Sequence, residues 1–455
     1  MTRLDYATAS EPTRSAARFA RVVPLAFITY ALAFLDRQNY GYAESRLRHD
    51  LHLEPWVSSF VASMFFLGYF VFQIPGAAYA THRSLKWLVF WALILWGVLS
   101  GLPAVLTSVR LLIADRLLLG AVEGVVLPAM LIYLTRWFTK NERSRASSLL
   151  ILANPITMAF ASVLCGSLIH WFDEHPFGRM HGWQMMFIVE GLPSLIWAGF
   201  WLALADERPT EAKWLTPMQI AAVQERLDAE QRDVSPVRNY RAAFSDGRVI
   251  MLAGMYFFFS ASSYGLTMYL PQIVEEGTRR GVAASGVLLA IPYLLAAFSM
   301  SAVGYHSDRS LKRKPFVWGS MAVGCAAFTG VYLAGPNHFW LASIALIVVC
   351  SCIYTPCGPL WAWMGDILPR NVVGESMALV NSIGALGGWV GINFVGDLKG
   401  HFHSSGPAFI FLATSFAVSG ALALAVRNKP REEKQGFQVI HSPVGAEGER
   451  AVSHQ

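Results

Sequence analysis

The sequence predicts an all-α integral membrane protein with 12 transmembrane helices in two six-helix, pseudo-symmetric halves. Three observations carry this expectation: the composition, the count of long apolar runs and an internal repeat. Of 455 residues, 54% are hydrophobic and 15% charged, with a mean hydropathy of +0.41. That is more apolar side chain than a globular core needs, and it is gathered into runs.

A helix needs ~20 apolar residues to cross a hydrocarbon layer of ~30 Å. After a polar, basic N-terminal tail (1–21), span 1 covers 22–43; it is too long for a signal-peptide core and lacks a small-residue cleavage site, so it reads as a retained helix. Span 2 (57–79) closes on Gln73-Ile74-Pro75-Gly76, and span 3 covers 87–107. Span 4 (110–134) contains Arg116 and Glu123, span 5 (146–170) contains Asn154-Pro155, and span 6 covers 184–205. The first half is thus 22–205. A polar linker (206–248) follows, with an amphipathic stretch at 216–231 that opens on Thr216-Pro217, as helices often do. The second half, 249–427, holds spans at 249–270, 283–304, 315–334, 339–364, 374–398 and 406–427. Pro356 and Pro359 flank Gly358 in span 10 and predict a kink there. Gly384, Gly387, Gly388 and Gly391 give span 11 a small-residue face for close helix packing. The tail is 428–455, and after 430 it reads as disordered.

Basic residues set the orientation. Arg3, Arg14, Arg18 and Arg21 precede span 1, and Arg83, Lys86, Arg136, Lys140, Arg143 and Arg145 fill the connections after spans 2 and 4. Arg309, Lys312, Arg313 and Lys314 follow span 8, while the alternate loops are poor in Lys and Arg. Both termini are therefore expected in the cytoplasm. The bias accounts for the net charge of +6, so a nucleic-acid partner is not implied. The five cysteines all lie in apolar segments, without disulfide or metal-ligand spacing, and read as packing residues.

The repeat divides the chain. Ala78 to Lys86 after span 2 and Gly304 to Lys312 after span 8 share Arg-Ser-Leu-Lys at an offset of 309 − 83 = 226. A weaker echo joins the connections after spans 4 and 10, Asn141-Glu142-Arg143-Ser144 and Asn371-Val372-Val373-Gly374, at 371 − 141 = 230. Two nearly equal offsets mean two equivalent halves.

Four ionisable residues stand where a membrane helix should have none: Asp36 and Arg37 in span 1, Arg116 and Glu123 in span 4. Each costs at least ~2.5–3.5 kcal/mol at bilayer depth, so such groups face a watery cavity, pair with one another and carry function. A static charge network that only orders the helices is the competing reading. Arg116 and Glu123 are two turns apart on one side of span 4, whereas Asp36 and Arg37 point ~100° apart.

The Gly304-to-Lys314 stretch with Asp308-Arg309 resembles the loop signature of the major facilitator superfamily, whose layout is 6 + 6 spans with a long central loop. Leu35-Asp36-Arg37-Gln38-Asn39, Arg116 with Glu123-Gly124 and Pro128, the run Trp183 to Pro193, and Ala378 to Gly384 resemble its anion:cation symporter family. Within that family, Phe27-Ile28-Thr29-Tyr30, the Pro128-to-Asn154 run and Leu368-Pro369-Arg370-Asn371 look most like bacterial sugar-acid carriers of the L-galactonate and 2-ketogluconate type. His82 departs from the pattern, since the superfamily usually has Asp there, so an Asp-based gating contact is expected only in the second half.

The resemblance implies halves that rock about a midplane site. It assigns Arg37 to the substrate pocket, where its planar fork suits a carboxylate. It assigns Asp36 and Glu123 to proton coupling, with Arg116 tuning Glu123. Burial favours a protonated carboxyl and a nearby Arg favours the carboxylate, so a conformational change that moves the Arg moves the proton. Tyr69, Trp361 and Asn381 match family pocket positions, and Tyr264 and Gln272 are further candidate lining residues. Asn154 either hydrogen-bonds a sugar hydroxyl or satisfies backbone groups freed by Pro155. Asp115 receives no role.

The expected function is secondary active import of a sugar acid, an aldonate or ketoaldonate, by proton symport. Tartrate-like or aromatic carboxylates such as phthalate, or proton-driven export on the same fold, are the alternatives. The expected partners are a small organic anion, a proton and the lipid bilayer of a bacterial inner membrane, with the chain a monomer and no cofactor or metal. Pore loops and charge rings of a channel are not found, nor is a catalytic constellation within the spans.

Overall fold

A computed structural model describes residues 11–232, 247–279, 281–335, 338–368, 373–402 and 404–427. The expected disorder of the C-terminal tail, residues 1–10 of the N-terminal tail, the linker stretch 233–246 and the Pro369-Arg370-Asn371-Val372 motif lie outside the described residues. The first half consists of α1 (Glu11–Asp50), α2 (Pro55–His82), α3 (Leu85–Gly101), α4 (Val109–Glu123), α5 (Val126–Trp137), α6 (Lys140–Glu174) and α7 (Gly182–Leu204). The linker carries the amphipathic α8 (Pro217–Arg232). The second half consists of α9 (Gly247–Thr278), α10 (Gly281–Ser310), α11 (Arg313–Ala334), α12 (Phe339–Tyr354), α13 (Cys357–Ile367), α14 (Val373–Phe402) and α15 (Gly406–Ala425).

Among the described residues, 12 segments are long and apolar enough to cross a membrane, at the 12 expected places. Several run beyond the apolar stretch: the first is Ala16–Asp50 rather than 22–43. Apolar sequence marks hydrocarbon depth, whereas backbone hydrogen bonding continues through the polar turns at either end. The outer face is lined with apolar side chains, as on α3, where Trp87, Trp91, Leu95 and Val98 recur at helical spacing and stay exposed.

Spans 4 and 10 are each built from two helices, α4 with α5 and α12 with α13, broken at Gly124-Val125 and at Thr355-Pro356. Pro128 and Pro359 explain both breaks: each lacks the N–H that would bond to the carbonyl four residues back, on Gly124 and Thr355. The helix resumes one residue later, with Ala129 N bonded to Val125 O at 3.0 Å and Leu360 N to Pro356 O at 2.8 Å. The breaks are 355 − 124 = 231 residues apart, close to the repeat offsets. The kink expected at Pro356 and Pro359 is a full break, and its partner in span 4 went unforeseen.

The halves meet through α2 against α14, α6 against α10, and α1 against α9. Glycines permit close approaches both within the second half and across this seam. A Cβ on Gly387 or Gly391 would run into the carbonyls of Phe257 and Ala261 on α9, and one on Gly286 of α10 into Ser162 of α6. The small-residue face of α14 is thus a packing face.

At the end carrying the termini, Glu207 at the start of the linker holds the N-terminus of α3. It accepts from the amides of Leu85 and Lys86, from Ser84 Oγ at 3.2 Å and from Arg136 Nη1 at 3.1 Å. An acidic side chain belongs at such a helix end. The His82 side chain lies outside the described residues. In the second-half loop Asp308 is exposed and comes only within 3.9 Å of Arg313, which lies 3.2 Å from Asp366.

Candidate functional site

On α1, consecutive side chains diverge. Asp36 turns into the first half, fully buried, where Oδ1 accepts from Ser100 Oγ of α3 at 2.9 Å and Oδ2 from Ser194 Oγ of α7 at 3.1 Å. Asn39, one turn on, donates to the same Ser100 hydroxyl at 3.1 Å. Arg37 turns toward the interface between the halves. Its Nη2 donates to Glu123 Oε2 at 3.4 Å, and its Nε has no partner. Three rings enclose the guanidinium, Phe34 at 4.9 Å, Phe65 at 5.1 Å and Tyr69 at 4.9 Å. Aromatic faces attract a cation while leaving its in-plane donors free.

Two small cavities of about 20 Å³ each flank Arg37. One is lined by Arg37, Tyr69, Tyr256, Ser260, Tyr264 and Asn381, among others. The other reaches Arg37, Gln38, Tyr40, Arg116, Tyr264 and Thr267. Phe66 of α2 and Tyr264 of α9, with rings 4.4 Å apart, line both and divide them. A volume of 20 Å³ holds about one water. An organic acid therefore needs the halves to part.

Of the residues expected from sequence, Arg37, Tyr69, Asn381 and Tyr264 come together at the first cavity. Trp361 stands one ring behind it, edge-on to Tyr256 at 5.4 Å. Asn154 lines neither cavity; it neighbours Tyr30, and its Oδ1 is buried without a partner. Glu123 is fully buried and has Arg37, not Arg116, as its ion-pair partner. Arg116 instead lies 4.7 Å over Tyr40 and 5.5 Å over Phe187, with Nε and Nη2 unpartnered. Two turns of helix separate it from Glu123, and those rings hold it there. Gln272 is not a cavity residue: two turns beyond Tyr264, it binds Lys399 at 2.9 Å and Glu276 at 2.8 Å. Asp115 is buried with both carboxylate oxygens unpartnered.

Sequence reading missed Ser100, Ser194, Tyr256, Ser260 and Glu190. The serines carry no signal in isolation, because what marks them is the helix across from them. Glu190 had one: it is an ionisable residue inside a span. Among the described residues no cluster of His, Cys, Asp or Glu could hold a metal ion.

The sequence profile of the Major Facilitator Superfamily matches residues 26–392. A putative tartrate transporter from Agrobacterium vitis is 31% identical over 413 residues, 90% of this chain and 91% of that one. A quinolone resistance transporter from Acinetobacter baumannii is 27% identical, over 93% of this chain and 97% of its own. The xylose transporter XylE from E. coli, in an inward open conformation, has a similar fold, with a TM-score of 0.72 at 13% identity over 92% of this chain and 98% of that one. Each is named as a transporter and none as an enzyme.

Proposed function

Since the chain belongs to the Major Facilitator Superfamily, we propose that it is a secondary transporter that imports a hydroxylated organic acid, a sugar acid of the aldonate or ketoaldonate class, together with protons. Both termini then lie in the cytoplasm, and the substrate enters from the opposite end. The observation that carries this reading is Arg37: a buried cation lining both cavities at the seam of the halves, with one 3.4 Å link to Glu123. With Glu123 ionised, the guanidinium is already compensated. A proton on Glu123 cancels that charge and leaves Arg37 needing an anion, which the substrate carboxylate supplies. Substrate and proton thereby favour each other's binding, and that is coupling. Asn381, Ser260 and the hydroxyls of Tyr69, Tyr256 and Tyr264 offer partners for substrate hydroxyls, and the rings offer faces for the carbon skeleton.

A second reading, a tartrate-like dicarboxylate, is favoured by the second cavity, which touches both Arg37 and Arg116. Two cations with unpartnered nitrogens suit two carboxylates. Quinolone export gains only the name of one relative.

The test is uptake into liposomes containing the purified protein, across aldonates, ketoaldonates, tartrates and phthalate, with and without an inward proton gradient. Sugar-acid accumulation driven by the gradient is expected. Glu123→Gln should retain substrate counterflow and lose accumulation, because no state of the carrier then depends on that proton. Gradient-driven accumulation by Glu123→Gln at the wild-type level would refute Glu123 as the coupling acid. Substrate release driven outward by the same gradient would refute import.

A further inference from the structure

Glu190 is a buried acid that the coupling scheme leaves unused. It lies on α7 one turn before Ser194, the residue that holds Asp36, and is 1% exposed. Its Oε1 accepts from the Cys165 thiol of α6 at 2.9 Å, and its Oε2 has no partner. The groups acting on it are Cys165, Asp36 and Asn39, and none is a cation; Arg116 acts on Asp36 instead. From α1 it is faced by Asp36, Asn39 and Tyr42, from α3 by Ser100 through Asn39, and from α6 by Cys165, with Ser162 beside Tyr42. Three polar atoms of this cluster are buried without partners: Glu190 Oε2, Asn39 Oδ1 and the Tyr42 hydroxyl.

We propose that Glu190 is a third proton-binding acid of the first half, coupled to Asp36 through the polar cluster of Ser100, Asn39 and Tyr42. As carboxylates, Glu190 and Asp36 would place two negative charges in one buried cluster without a cation on Glu190, an arrangement that is costly to hold. A proton on Oε2 removes one charge and turns an unpartnered acceptor into a donor, in a cluster whose other unpartnered atoms, Asn39 Oδ1 and the Tyr42 hydroxyl, can both accept. Ionisation of Asp36 then reinforces the proton on Glu190, and the two acids titrate as a pair. α7 enters the bundle at the end opposite the termini, so Glu190 stands between that end and Asp36. This is the side from which the protons come in the import reading, on which the coupling role rests.

Infrared pH titration of the purified, substrate-free protein tests the site without relying on any substrate. The wild type should show a protonated-carboxyl stretch that Glu190→Gln removes and whose midpoint moves in Asp36→Asn. Glu190→Asp, which keeps an acid, should shift the band rather than abolish it, and serves if the Gln variant does not fold. In liposomes, Glu190→Gln should lose about tenfold in gradient-driven accumulation while counterflow holds within about twofold. A band that never titrates in the folded protein, or a midpoint indifferent to Asp36→Asn, would make Glu190 a fixed structural acid and overturn the proposal. If no sugar acid is transported but the band behaves as described, the substrate reading fails and the proton site stands.

Discussion

Arg37 supplies two sharp tests at the scale of single residues. Its value to an anion lies in two parallel N–H donors on a rigid plane held between rings, and Lys keeps the charge but loses the plane. Arg37→Lys should therefore cost about 1.5–3 kcal/mol of substrate binding, roughly 10- to 150-fold in affinity measured by calorimetry on the purified protein. Unchanged affinity would mean that the carboxylate is bound elsewhere. Arg116 separates the two substrate readings, because it lines the second cavity but does not pair with Glu123. Arg116→Gln should weaken binding of a dicarboxylate by a similar factor and leave a monocarboxylate nearly untouched. Equal loss for both would show that Arg116 acts on the protein rather than on the ligand.

At the scale of elements, glycines and prolines divide the labour. Gly387 lies where a methyl would strike the Phe257 carbonyl, whereas Gly358, beside the break of span 10, has open space around it. Gly387→Ala should cost about 1–3 kcal/mol and lower the melting temperature; Gly358→Ala should leave it level or raise it, because Ala restricts the unfolded chain more than Gly. Equal melting temperatures would contradict the packing role of the α14 face. These positions also show what is legible in a sequence. The 12 spans could be read because burial in lipid writes itself as local composition, and the kink at Pro356 and Pro359 because proline acts on its own backbone. Arg37, Tyr69 and Asn381 followed from motifs. The Arg37–Glu123 pair, the cradle of Ser100 and Ser194 around Asp36 and the displacement of Gln272 to the far end could not be read. Each depends on which faces of separate helices meet, and no local pattern records that.

At the scale of the whole molecule, the end opposite the termini is locked across the halves. Arg46 of α1 bonds Glu275 of α9 through both terminal nitrogens, at 3.3 and 2.9 Å, and approaches Asp173 at 3.9 Å. Ser59 meets the Tyr269 hydroxyl of α9, and Ser63 accepts from Asn393 of α14 at 2.7 Å. At the other end the ion pairs of Arg18 with Glu142, Arg136 with Glu207 and Arg313 with Asp366 each stay on one side of the seam. Substrate entering from the far end must break the first set and can leave the second intact. The Arg46 pair is about a quarter exposed on both sides, so it contributes on the order of 1 kcal/mol, about fivefold in the ratio of closed to open forms. Arg46→Glu should shift that ratio toward opening by at least this factor, because it converts attraction to Glu275 into repulsion. A cysteine at Ala62, which lines the second cavity behind the lock, should then react faster with a membrane-impermeant thiol reagent applied from the far side, measured against the background of the native cysteines. Restoring the pair with Glu275→Arg in the same chain should return the rate toward its starting value. A rate that Arg46→Glu leaves unchanged would show that the lock is held by the contacts of α2, Ser59 with Tyr269 and Ser63 with Asn393, with Arg46 only following the closure that they make.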